Sequence, residues 1–233
     1  MEFDAVILAG GRSTRLGGVP KARLTATGTS LLDLTLKAAG GARRIVVVGP
    51  ELGGLPPQVL RCREKPPFSG PAAAIAAGLA ALAGEHAGAG EQAAGGPAAQ
   101  TLVLACDMPR VAAAVGALLA AADGPAEGPG GGRDGVMAVA PDGRTQPLAG
   151  LYRTAALQRA VGDAARRNAL EGGSVFALLA SLELRTVPVP PGSTDDVDTW
   201  DDASALGVSD PGPGRSGNGR PNSTLEANGE KPG

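Results

Sequence analysis

Between Leu8 and Lys21 the chain reads Leu-Ala-Gly-Gly-Arg-Ser-Thr-Arg-Leu-Gly-Gly-Val-Pro-Lys, directly after an unbroken apolar run from Ala5 to Ala9. The run predicts a strand buried on both faces of a parallel sheet. Gly10 and Gly11 then turn the chain sharply and bare main-chain N–H groups, while Arg12, Ser13, Arg15 and Lys21 add three cations and a hydroxyl. Such a loop at the carboxyl end of a strand suits a polyphosphate: N–H groups donate to its oxygens and the cations balance its charge. It is neither of two better-known phosphate loops. The dinucleotide fingerprint needs Gly-x-Gly-x-x-Gly, whereas Gly10 and Gly11 are adjacent. The Walker loop needs Gly-Lys-Ser/Thr, whereas Lys21 lies between Pro20 and Ala22.

Three further places carry chemistry. Asp107 follows the apolar run Thr101 to Cys106, which puts a carboxylate at the sheet edge where open α/β folds bind ligands. An Asp there can cap a helix. Beside a phosphate loop a Mg²⁺ ligand is the better reading, because Mg²⁺ shares carboxylate, phosphate and water oxygens. The run Asp195-Asp-Val-Asp-Thr-Trp-Asp-Asp202 gathers acids that repel one another unless a cation or solvent intervenes. Within it Thr199 and Asp202 read as the cap of a short helix. Finally, Gly70-Pro71 opens an alanine-rich helix, with Pro at a favourable first position and Gly70 able to let backbone approach a ligand.

The pattern Leu8-Ala-Gly-Gly-x-Ser-x-Arg-Leu-Gly-Gly-x-x-Lys21 resembles the signature of the nucleotidyltransferases typified by the molybdenum cofactor guanylyltransferase, the MobA-like family. The resemblance extends over residues 4–206 and implies a Mg²⁺-dependent transfer of GMP from GTP to the phosphate of molybdopterin, with release of pyrophosphate. On it, Leu8, Ala9, Gly10, Gly11, Arg12 and Ser13 hold the nucleotide, and Arg15 and Lys21 are catalytic, stabilising charge on the phosphates. Lys21, Glu64, Gly70, Pro71 and Asp107 also contact nucleotide. Asp107, in the family's Asp-Met-Pro, and Asp198, which matches the acid or amide before Thr-Pro-Glu-Asp, hold the metal; Asp196 is a weaker candidate for that second ligand. Gln146 to Tyr152 looks like the strand lining the acceptor pocket. The chain departs from the family at Pro20, where guanylyltransferases often carry Asp, at Trp200, where Pro is usual, and at Ala72-Ala-Ala in place of Leu-Ala-Gly. Ala9-Gly10-Gly11 favours a guanylyltransferase, since cytidylyltransferase relatives usually show Ala-Ala-Gly. A molybdopterin cytidylyltransferase, a phospholactate guanylyltransferase and a non-catalytic nucleotide-binding regulator are the alternatives.

Composition bounds the rest. The 233 residues suffice for one α/β domain, and with 43% hydrophobic but only 2% aromatic residues its core must be built from Ala, Val, Leu and Ile. A net charge of −2 gives no footprint for nucleic acid or a membrane surface. Cys62 and Cys106, with the single His86, make a zinc site an unattractive reading. No signal peptide or long apolar span is legible, so a cytoplasmic protein is expected, a monomer or weak homo-oligomer.

Strands are predicted at 45–48, 59–62, 101–106, 134–140, 147–153 and 184–189. Helices are predicted from Ser30 to Gly40, from Pro71 to Ala83, from about 110 to 122, at 154–167 and 174–181, and after Thr199. The alternation of strands and helices predicts a doubly wound, mostly parallel sheet with helices on both faces, a Rossmann-like nucleotidyltransferase fold over residues 1–208. Stretches rich in Gly, Pro and Ala at about 84–99 and 123–133 are expected to be flexible insertions, and 209–233 a disordered tail.

Overall fold

The computed structural model describes residues 1–51, 53–84, 96–124 and 133–212. Its elements run β1 (Phe3–Leu8), β2 (Thr25–Ala26), β3 (Thr29–Ser30), α1 (Leu31–Ala38), β4 (Ile45–Val48), β5 (Leu60–Cys62), α2 (Pro71–Leu82), β6 (Gln100–Ala105) and α3 (Val111–Asp123). They continue as β7 (Gly135–Val139), β8 (Thr145–Arg153), α4 (Thr154–Arg166), α5 (Val175–Leu179), β9 (Leu184–Pro188), α6 (Trp200–Ala205) and β10 (Val208–Ser209).

Seven strands form one sheet in the order β5-β4-β1-β6-β8-β7-β9. Only β8 opposes its neighbours, running antiparallel to β6 and β7; the other pairs are parallel. Alternate side chains of a strand point to opposite faces, so an apolar run needs cover on both sides. Ala5 and Ile7 of β1 join Leu102 and Leu104 beneath Leu32 of α1 and Val115 and Leu118 of α3. Val6 and Leu8 join Val103 beneath Ile75, Leu79 and Leu82 of α2, Leu157 of α4 and Leu178 of α5. The doubly covered, mostly parallel sheet is therefore as expected. Among the described residues, no helix is long and apolar enough to cross a membrane.

A second, three-stranded sheet, β10-β2-β3, was not legible in the sequence. It covers a small apolar cluster of Leu16, Leu24, Leu31, Val197 and Val208, and so ties the glycine-rich loop to the acidic run near the C-terminus. Ser209, the first residue of the expected tail, pairs with Thr25 in this sheet; residues 213–233 lie outside the described residues.

Most of each expected insertion, 85–95 and 125–132, also lies outside the described residues. Residues 96–99, by contrast, belong to the fold. The reason is Asp4, a fully buried carboxylate inside β1. It accepts from Ala98 N–H at 2.7 Å and from Arg43 and Arg44, while both guanidinium groups also donate to Gly96 O. Burial pushes the Asp4 pKa up, but these donors outweigh it and hold it below its ordinary value of 3.8. The stabilisation is therefore complete above that value and is lost as pH falls through the lower folded-state pKa. Asp4→Ala is expected to cost about 3 kcal/mol, since it leaves two arginines without their buried partner. Urea unfolding at neutral and acidic pH checks this: the gap between the two proteins should close as the pH falls.

Candidate active site

The carboxyl ends of β1 and β6 lie side by side, fastened by Cys106 N–H donating to Leu8 O at 3.1 Å. From this edge the glycine-rich loop leaves β1. Gly11 has φ 134° and Ser13 φ 45°, and a 3-10 turn over Thr14–Leu16 closes the loop. Among the described residues, no protein acceptor takes the N–H groups of Gly10, Gly11, Arg12 or Ser13. They remain free to donate, as a phosphate cradle requires.

Gly49, after β4, sets the loop's position from below. A Cβ there would lie 2.9 Å from the Ala9 carbonyl carbon and 3.1 Å from Gly10 N, closer than packing allows. Gly49→Ala is accordingly expected to push the loop out of register and raise the nucleotide KM by about ten-fold or more, because small misplacements of positioning groups are costly. Steady-state kinetics on the variant checks this; an unchanged KM would mean that the loop is positioned by other contacts.

Two adjoining cavities flank the loop. One of about 420 Å³ is lined by Leu8, Gly10, Gly11, Arg12, Lys21, Glu64, Gly70, Pro71 and Asp107 among others. The second, about 300 Å³, takes in Ala9 and Ser13 and shares Gly10, Gly11, Arg12 and Lys21. Residues from distant parts of the sequence thus face one hollow at the carboxyl edge of the sheet, where this class of fold binds ligands.

At its edge stand three carboxylates. Asp107, Asp196 and Asp198 each offer an oxygen, and these lie within 4.8 Å of one another. Two local features hold them. Val197 N–H donates to Asp107 O at 3.0 Å, docking the acidic run onto the end of β6. A capping box at α6, in which Asp202 accepts from Thr199 N–H at 2.8 Å and from Asp198 N–H at 3.2 Å, fixes the backbone of Asp198. Lys21 Nζ reaches Asp107 at 2.9 Å and also binds Asp198, while Arg15 Nη1 is 3.8 Å from the other Asp198 oxygen. Burial disfavours the Lys21 ammonium, yet Coulombic attraction to Asp107 and bonds to Asp198 raise its pKa above the ordinary value. Asp196 moves upward, through burial first and then through repulsion from Asp107 and Asp198. A cluster of hard oxygen donors whose charges need a cation fits a divalent ion such as Mg²⁺ or Mn²⁺.

Arg15 and Asp198 line neither cavity; both sit beside Lys21 at the edge. Gly70 lines the larger cavity with φ 92°, so a side chain there would be strained even though a Cβ would only touch the backbone of Gly172 and Gly173 at ordinary contact distance. Of Gln146 to Tyr152, Leu148 reaches the larger cavity, whereas Tyr152 is buried with its hydroxyl on Pro147 O at 2.6 Å. Asp196 stands in the acidic cluster as fully as Asp198. Phe68, which lines both cavities, was not singled out by the sequence. Its placement depends on a loop without periodicity.

A family model described as the MobA-like NTP transferase domain matches residues 5–182. Comparison with curated proteins gives no match. Among solved structures, molybdopterin-guanine dinucleotide biosynthesis protein A from Archaeoglobus fulgidus superposes with a TM-score of 0.61 at 18% identity, covering 88% of this chain and 97% of that one. A 2-C-methyl-D-erythritol 4-phosphate cytidylyltransferase from Thermus thermophilus gives 0.57 at 21% identity, covering 88% and 97%. Rv0371C of Mycobacterium tuberculosis, in complex with manganese, gives 0.56 at 19% identity, covering 89% and 98%. At such identities these likenesses speak for the fold. The family match spans most of the chain and contains the glycine-rich loop, Glu64, Gly70 and Asp107. The chain belongs to the MobA-like NTP transferase family and is a nucleotidyltransferase.

Proposed function

We propose that the protein is a guanylyltransferase that moves GMP from GTP to the phosphate of molybdopterin and releases pyrophosphate. The observation that carries this reading is the meeting of Lys21 with Asp107 and Asp198 beside the free N–H groups of the Gly10–Ser13 loop. In the proposed reaction an oxygen of the acceptor phosphate attacks the α-phosphorus of GTP in line. The bond from that phosphorus to the bridging oxygen breaks, and the electron pair leaves with pyrophosphate.

Gly10, Gly11, Arg12 and Ser13 bind and orient the triphosphate through main-chain and side-chain donors. Lys21, with Arg15 behind it, stabilises charge that grows on the transferred and leaving phosphates. Asp107 and Asp198, with Asp196, would hold Mg²⁺. That ion, when bound, neutralises phosphate oxygens and polarises the phosphoryl group. No protein nucleophile is needed.

Support for guanine comes from Glu64. It is buried, one oxygen accepts Phe68 N–H at 2.8 Å, and the other, Oε2, has no partner although Glu64 lines the larger cavity. Carboxylate oxygens accept hydrogen bonds, and guanine alone among the common bases presents two adjacent donors, N1–H and the 2-amino group. Molybdopterin as acceptor rests on family membership together with Ala9-Gly10-Gly11. The experiment is pyrophosphate release by the purified protein with Mg²⁺ and each of GTP, CTP, ATP and UTP, with and without molybdopterin. Release confined to GTP plus molybdopterin is expected. Release with CTP, or with GTP and another phosphorylated acceptor only, would replace the base or the acceptor. Nucleotide binding with no release under any condition would favour a regulator.

A further inference from the structure

Among the described residues, Phe68 is one of few large apolar side chains that face solvent, with 45% of its surface exposed. Its backbone has φ 65°, a region that bulky residues avoid, and the conformation is held by its N–H bond to Glu64 Oε1. Core packing explains neither the exposure nor the conformation. The ring lines both cavities of the active site. Two cations lie against it: the guanidinium carbon of Arg12 is 5.5 Å from the ring centroid and that of Arg63 is 5.0 Å. Glu64, which accepts the Phe68 N–H, is buried and leaves Oε2 unpaired.

We propose that Phe68 is the stacking plate for the nucleobase, and that Arg12 leaves its ring for the triphosphate when the nucleotide enters. The inference rests on the reading of the site as a GTP site and adds the residue that binds the base. Arg12 is the group that links the two events, because it belongs both to the phosphate loop and to the ring's surroundings. An exposed cation–π contact is weak, whereas a guanidinium–phosphate pair is charge-assisted and bidentate, so a triphosphate draws Arg12 away. The vacated face then offers a π-surface to the base, whose donor edge meets Glu64. Stacking contributes for every base; Glu64 supplies the choice among them.

The test separates base from phosphates. The purified full chain is titrated calorimetrically with GTP and with inorganic tripolyphosphate, each with Mg²⁺. Phe68→Ala is expected to weaken GTP about ten-fold, the scale of losing one base–aromatic contact, while tripolyphosphate stays within about two-fold of wild type. Phe68→Trp, which keeps an aromatic face, is expected to restore GTP binding. The proposal is overturned if Phe68→Ala weakens both ligands equally, since the ring then serves only to position Arg12, or if it weakens neither. If wild type binds neither GTP nor tripolyphosphate, the nucleotide site itself is wrong and the inference falls with it.

Discussion

Asp107→Ala is expected to abolish nucleotidyl transfer, lowering kcat by about a thousand-fold or more while the chain remains folded. The size follows from what Asp107 joins. It is the carboxylate shared by the acidic cluster and by Lys21, and it lines the larger cavity beside the glycine-rich loop. Its removal takes away a proposed metal ligand and one of two partners that hold the Lys21 ammonium. Metal-assisted charge stabilisation contributes several kcal/mol to such reactions, and each 1.36 kcal/mol is a factor of about ten in rate. Folding is spared because the docking of the acidic run uses the Asp107 carbonyl, which accepts Val197 N–H, and an alanine keeps that carbonyl. Pyrophosphate release and a urea midpoint measured together check both halves. A variant rate within a few-fold of wild type would remove Asp107 from the catalytic machinery.

Lys21→Met is expected to act in two opposite directions. Transfer should fall by about a hundred- to a thousand-fold, the usual range for losing one preorganised group aimed at developing phosphate charge. Binding of Mn²⁺ in the absence of nucleotide should tighten. Lys21 Nζ sits among the carboxylates of Asp107 and Asp198 and serves as their counter-ion. A divalent cation must compete with that ammonium, whose pKa these acids raise against the opposing effect of burial. Methionine has similar length without the charge, so three carboxylates are left to the metal. Spin-resonance titration with Mn²⁺ reads the affinity directly. An affinity unchanged by Lys21→Met would show that lysine and metal occupy separate places.

The sheet was legible because buried parallel strands show as continuous apolar runs, as at Ala5–Ala9, Ile45–Val48 and Thr101–Cys106. The glycine-rich loop proposed to cradle phosphate was legible because its glycines and cations lie within a few residues of one another. The edges of both were less clear. β1 begins at Phe3 and includes Asp4, which a reading by polarity leaves outside a buried strand; only Arg43, Arg44 and Ala98, distant in sequence, make its burial tolerable. The sheet of β2, β3 and β10 consists of two-residue strands, too short to impose alternation. Asp198 stands out in the sequence because it matches the acid or amide before Thr-Pro-Glu-Asp in the family, and nothing local gives Asp196 the same weight. The docking of Val197 on Asp107 turns both toward the same place. Phe68 escaped notice for a related reason. Within Lys65-Pro-Pro-Phe-Ser the residue has no period, and its orientation is decided by Glu64 capturing its N–H and by two arginines gathering at its ring.

The central claim is that the bond broken lies between the α- and β-phosphates of GTP. Incubation with molybdopterin and GTP labelled either at the α- or at the γ-phosphate tests it most directly. The account predicts that α-label passes to the acceptor and that γ-label is recovered wholly in pyrophosphate. Recovery of γ-label as inorganic phosphate, or on the acceptor, would make the protein a GTPase or a kinase and would contradict the account.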